Sequence, residues 1–63
     1  MPTVSIKMYE GRSLDQKRAM AKKVTEAICE TLNVKPEGVN IYIEETKKEH
    51  HANAGILAVD KDQ

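Results

Sequence analysis

Few residues in this 63-residue chain are of a type that does chemistry, and the first is Pro2, directly after Met1. Initiator methionine is commonly removed before a small residue, which would leave Pro2 with a free secondary amine on a rigid ring. Such an amine acts as a base with no flexible side chain to hold in place. A proline here also serves as a stiff start to a strand, and the dipeptide alone favours that simpler use. The other candidates are weaker. Cys29 is the single cysteine; it falls within an amphipathic stretch and reads as a packed or partly buried thiol rather than a nucleophile. His50 and His51 are the only histidines. Two adjacent imidazoles are a poor start for a closed zinc site, which takes four tetrahedral ligands, so no metal is expected. Glu44 and Glu45 form a carboxylate pair in sequence only, because adjacent strand residues point to opposite faces.

The elements that must position these residues are legible from periodicity. Val4, Ile6 and Met8 alternate with Thr3, Ser5, Lys7 and Tyr9, the period of a half-buried strand over 3–9. Glu10-Gly11-Arg12 breaks it with a turn. Ser13 and Gln16 have capping-box spacing, Asp15 suits the first turn of a helix, and Met20, Val24, Ala27, Ile28 and Leu32 share one helical face, widened by Leu14 and Ala21. Lys17, Arg18, Lys22, Lys23, Glu26 and Glu30 fall mainly on the opposite side and are expected to be a solvated face. Asn33 can end the helix and Pro36 prevents its return. Pro36-Glu37-Gly38 signals a turn, after which Val39–Glu44 alternates again as a second strand. Lys7, Tyr9, Tyr42 and Glu44 share the parity of Ser5 and Asn40, away from the apolar stripe; Tyr42 fits a packed or interface tyrosine better than a hydrogen-bond donor to a ligand. Residues 46–51 are polar, and Asn53-Ala54-Gly55 suggests a further turn. The apolar run 56–59 has no local core to join and is expected to pack on or pair with a neighbour, with residues 60–63 frayed. Strand, helix and strand make a βαβ unit: an α/β fold with two parallel strands, one amphipathic helix and a short C-terminal tail, in a single domain over 1–63.

Composition narrows the class. The chain has two Tyr, no Phe and no Trp. A chain of this size buries only roughly 60% of its unfolded surface, and small domains add disulfides, a metal or a partner. One cysteine excludes an internal disulfide, and both sheet edges invite pairing, so a homo-oligomer is expected. Ten basic residues balance ten acidic ones, which argues against nucleic-acid binding. There is no bilayer-spanning run and no apolar signal-peptide core. A lone free cysteine fits a reducing, cytoplasmic setting.

Met-Pro, an alternating strand, and Glu10-Gly11-Arg12-Ser13 opening an amphipathic helix together resemble the 4-oxalocrotonate tautomerase family. The similarity continues through Gln16-Lys17, Val24, Glu26, Ala27, Ile28 and Leu32, and into the tail at Lys48, His50, Gly55 and Leu57-Ala58. The resemblance implies βαβ subunits that pair into dimers, typically three dimers to a hexamer, and a cofactor-free isomerase. In such enzymes the terminal proline amine, here Pro2, is the general base that moves a proton between dienol and keto forms of a small carboxylate substrate, as in aromatic catabolism. The resemblance assigns Arg12 to a substrate carboxylate, which guanidinium binds bidentately; taken alone, Arg12 is a surface residue closing a turn. A base works best with a pKa near the operating pH, and burial or a nearby cation keeps an amine neutral.

Two positions depart from the family pattern. Hydroxymuconate tautomerases carry a second arginine where this chain has Asn40, which can donate a hydrogen bond but has no charge. They carry phenylalanine where this chain has His51, which is polar and titratable, and which also suits a surface loop. Asn40 and His51 are therefore the expected substrate-binding partners of Arg12, with weaker stabilisation of the enolate and a substrate of one carboxylate or a phenylpyruvate-like enol as consequences. Two alternatives remain: dehalogenase, hydratase or decarboxylase chemistry on the same fold, and a weakly active or non-catalytic subunit of a mixed oligomer.

Overall fold

The computed structural model describes residues 2–61. The expected loss of Met1 and the fraying expected of residues 62–63 lie outside the described residues. Strand β1 spans Thr3–Tyr9, with Val4, Ile6 and Met8 half-buried and the alternate side chains exposed. Gly11 then takes φ 118, a conformation that L side chains rarely adopt, and the chain turns into helix α1, Leu14–Leu32. The capping box is formed: the Gln16 N–H donates to Ser13 Oγ at 3.1 Å, and the Ser13 N–H to Gln16 Oε1 at 2.9 Å. Asn33 closes the helix in the left-handed region, which asparagine tolerates. A 3-10 turn at Pro36–Gly38 leads into β2, Asn40–Thr46.

Strands β1 and β2 are parallel, in register from Thr3 opposite Asn40 to Tyr9 opposite Thr46. The second strand runs two residues beyond the expected Glu44 because Met8 and Tyr9 offer ladder partners to Glu45 and Thr46, and Glu10 N–H continues the ladder to Thr46 O at 3.1 Å. Glu45 tolerates the helix side of the sheet because Lys17 Nζ meets its Oε1 at 2.7 Å. Lys17 is thus half-buried and not on the solvated face expected of it, while Arg18, Lys22, Lys23, Glu26 and Glu30 are exposed. A partly exposed pair of this kind stabilises by on the order of 1 kcal/mol or less. Cys29 is half-buried.

The tail is more ordered than its composition implied. A 3-10 turn at Lys48–His50 precedes a hairpin in which β3, Ala52–Asn53, pairs antiparallel with β4, Ile56–Leu57. Ala54 and Gly55 take φ 55 and 81, the two positive values that a tight two-residue hairpin turn needs. The apolar run therefore finds a local strand partner rather than only a neighbour. Asp60 and Lys61, expected to be frayed, belong to the short helix α2, Ala58–Lys61, and Lys61 Nζ donates to Asn53 Oδ1 at 3.1 Å.

No described residue is fully buried, and Leu14, Leu32, Tyr42 and Ile56 are 60%, 59%, 61% and 48% exposed. The radius of gyration is 15.1 Å, against about 11 Å for a compact chain of this length. The helix covers one face of the two-stranded sheet; Thr3, Ser5, Lys7, Tyr9, Asn40, Tyr42 and Glu44 form an exposed second face. Among the described residues no helix is long and apolar enough to cross a membrane.

Candidate active site

Strand pairing brings Pro2 to Asn40. The Asn40 N–H donates to Pro2 O at 3.0 Å, which fixes the strand entry, while Pro2 is half-buried and Asn40 exposed. The polar side chain of Asn40 begins β2 at the end of the sheet where the proline ring lies, as the parallel register requires.

The remaining expected residues gather at the other end. Tyr9, the last residue of β1, meets His51 with its hydroxyl 2.6 Å from Nδ1. Their ring centroids are 5.8 Å apart with an interplanar angle of 49°, and Lys48 Nζ lies 5.8 Å from the Tyr9 centroid. Lys7, Met8, Tyr9, Thr46, His50 and His51 line an open cavity of about 530 Å³, within the usual range for small-molecule sites. Arg12 follows Tyr9 through the Gly11 turn and is exposed; it lines a separate cleft with Met8, Gln16, Lys17 and Met20. Met8 borders both.

Of the four expected site residues, Pro2 and Asn40 meet at one end of the sheet, while His51 and Arg12 lie toward the other end in separate clefts. Six strand steps from Thr3 to Tyr9 separate the two ends by about 20 Å along β1, more than a small 2-oxo acid spans. Tyr9 as the partner of His51 was not expected. Alternation placed it on the open face, but a contact between residues 42 positions apart leaves no local signal. The Lys17–Glu45 pair was missed for the same reason.

This βαβ subunit, with proline opening β1 and arginine in the turn before α1, matches the family described as tautomerase enzyme over residues 2–60. The chain belongs to the tautomerase family. It is accordingly an isomerase. The 2-hydroxymuconate tautomerase of Bacillus subtilis is 49% identical over 55 residues, covering 87% of this chain and 89% of that protein. A structure from work on the 4-oxalocrotonate tautomerase isozymes of Methylibium petroleiphilum superposes with a TM-score of 0.91 at 38% identity, covering 97% and 95% of the two chains. A structure from work on a heterohexamer 4-oxalocrotonate tautomerase of Chloroflexus aurantiacus superposes with a TM-score of 0.86 at 30% identity, covering 95% and 97%. This tautomerase shares their fold through its whole βαβ unit and tail.

Proposed function

We propose that this tautomerase, once Met1 is removed, interconverts keto and enol forms of small 2-oxo acids or their dienols, with the Pro2 amine as general base and no cofactor. The amine takes the enol hydroxyl proton, the oxygen electrons close to a carbonyl, the conjugated double bond shifts, and the protonated amine returns the proton to carbon. The observation that carries this proposal is the similarity to the 2-hydroxymuconate tautomerase of Bacillus subtilis along a chain that has Pro2 after Met1 and Arg12 in the turn before α1. Arg12 binds a substrate carboxylate, Asn40 donates a neutral hydrogen bond, and His51 adds a polar contact.

The separation of Pro2 from Arg12 supports a site that takes them from different copies of the chain. Self-association, as a hexamer of paired sheets, is supported by the absence of any fully buried described residue and by the exposed second sheet face. Apolar surface left at Leu14, Leu32 and Ile56 leaves water only in an assembly.

The test is ultraviolet-monitored ketonisation of 2-hydroxymuconate by protein shown by mass to lack Met1. Turnover by the purified single chain supports a self-sufficient enzyme. The Chloroflexus heterohexamer favours a second possibility, a subunit of a mixed oligomer, and absence of turnover by the chain alone supports that one.

Asn40 limits the reaction on dicarboxylates, because a neutral amide stabilises a developing enolate less than a cation does. Asn40→Arg should raise kcat/KM on 2-hydroxymuconate, by up to about 10²-fold if the guanidinium reaches the developing charge. The gain should be much smaller on a monocarboxylate enol; equal gains on both would show that the second carboxylate is not held near residue 40.

A further inference from the structure

We propose that Tyr9 is a positioning residue: its hydroxyl donates to Nδ1 of His51 and holds the imidazole in the Nε2–H tautomer, so that His51 meets substrate as a neutral hydrogen-bond donor. This rests on the function proposed above, in which His51 belongs to the substrate site.

The two partners are fixed by different elements. Tyr9 ends β1 with its backbone paired to Thr46. His51 follows the Lys48–His50 turn; its N–H reaches Lys48 O at 3.5 Å, and its carbonyl accepts from Ala58 N at 2.8 Å. The 2.6 Å contact between Tyr9 Oη and His51 Nδ1 is therefore between side chains whose backbones are already held. The Lys48 ammonium lies at cation–π distance from the Tyr9 ring, on the same turn.

A neutral imidazole has one donor nitrogen and one acceptor nitrogen, and the partner of one sets the role of the other. A phenol both donates and accepts, so the contact with Tyr9 permits either tautomer, and the surroundings select between them. With Nδ1 protonated, Nε2 would present a lone pair and repel a carboxylate or enolate oxygen. With the phenol donating, Nε2–H attracts it. Lys7 lines the same cavity, and its ammonium favours an anionic ligand there and hence the donor form of His51. Such a donor supplies part of the stabilisation that an uncharged Asn40 does not.

The test begins without substrate. Two-bond ¹H–¹⁵N correlation at mildly alkaline pH should show His51 with Nδ1 bare and Nε2 protonated. Tyr9→Phe should move both nitrogens toward tautomer-averaged shifts. In turnover, Tyr9→Phe should lower kcat by about 2–10-fold with a smaller change in KM, and Tyr9→Phe combined with His51→Ala should be no slower than His51→Ala alone. Native protein with Nδ1 protonated overturns the proposal, whatever becomes of the variants. Turnover abolished by Pro2→Ala yet unaffected by Tyr9→Phe overturns it while leaving the tautomerase assignment intact. Turnover that survives Pro2→Ala counts against the proline mechanism instead, and the tautomer spectrum of the native protein still decides whether Tyr9 sets His51.

Discussion

Protein freed of Met1 and carrying Pro2→Ala should lose kcat for 2-hydroxymuconate ketonisation, by at most about 10²–10⁴-fold, the whole contribution of a positioned general base. KM should change little, because the proposed carboxylate contacts come from Arg12 and its neighbours. A terminal alanine also carries an amine, so the comparison isolates the ring: a secondary amine held rigidly against a primary amine that rotates. The ladder bond from Asn40 N–H to Pro2 O uses only the carbonyl of residue 2, which alanine also supplies, so β1 should pair as before. Native protein that retains Met1 should be slower still, because the Pro2 nitrogen is then an amide without a basic lone pair. Steady-state kinetics on samples checked by mass spectrometry decide the matter. Activity that survives both changes would move the base elsewhere, with His50 and His51 the next groups to vary.

The second large effect concerns Arg12. Arg12→Ala alone should raise KM by about 10–100-fold, the range expected on losing hydrogen bonds to a charged group. The informative experiment mixes this variant with Pro2→Ala. The two residues lie about 20 Å apart along one chain, so a site that uses both draws them from different copies. After co-unfolding and refolding at equal amounts, about one site in four should then join an intact Pro2 to an intact Arg12 in a symmetric assembly. Activity should return to about a quarter of native from two parents that are each far weaker. Mixtures no better than the average of their parents would place Pro2 and Arg12 in separate functions. Self-association would then serve stability alone, by covering apolar surface that the described residues of one chain leave exposed.

Local features carried most of the architecture. The two-residue period of Thr3–Tyr9, the Ser13–Gln16 box and the left-handed Asn33 each specify their element through contacts within a few positions, which is why β1 and α1 could be read from spacing. The second strand and the tail were less legible for one reason. Glu45 and Thr46 join β2, and Ile56–Leu57 join a hairpin, because partners distant in the chain or across a turn satisfy their backbone groups. Propensity alone reports a polar stretch and an orphan apolar run.

The chemistry divides in the same way. Which residues are fit to bind or move protons was set by the sequence: a proline next to the initiator, an arginine in a glycine turn, the amide of Asn40 and the imidazole of His51. Their distribution in space was decided only by the tertiary structure. Parallel pairing over seven residues puts Pro2 beside Asn40 and carries Tyr9 to the far end of the sheet, where the folded tail delivers His51 to its hydroxyl. That placement depends on the register of one strand against another and on a turn some forty residues later, and no local pattern of residues encodes either.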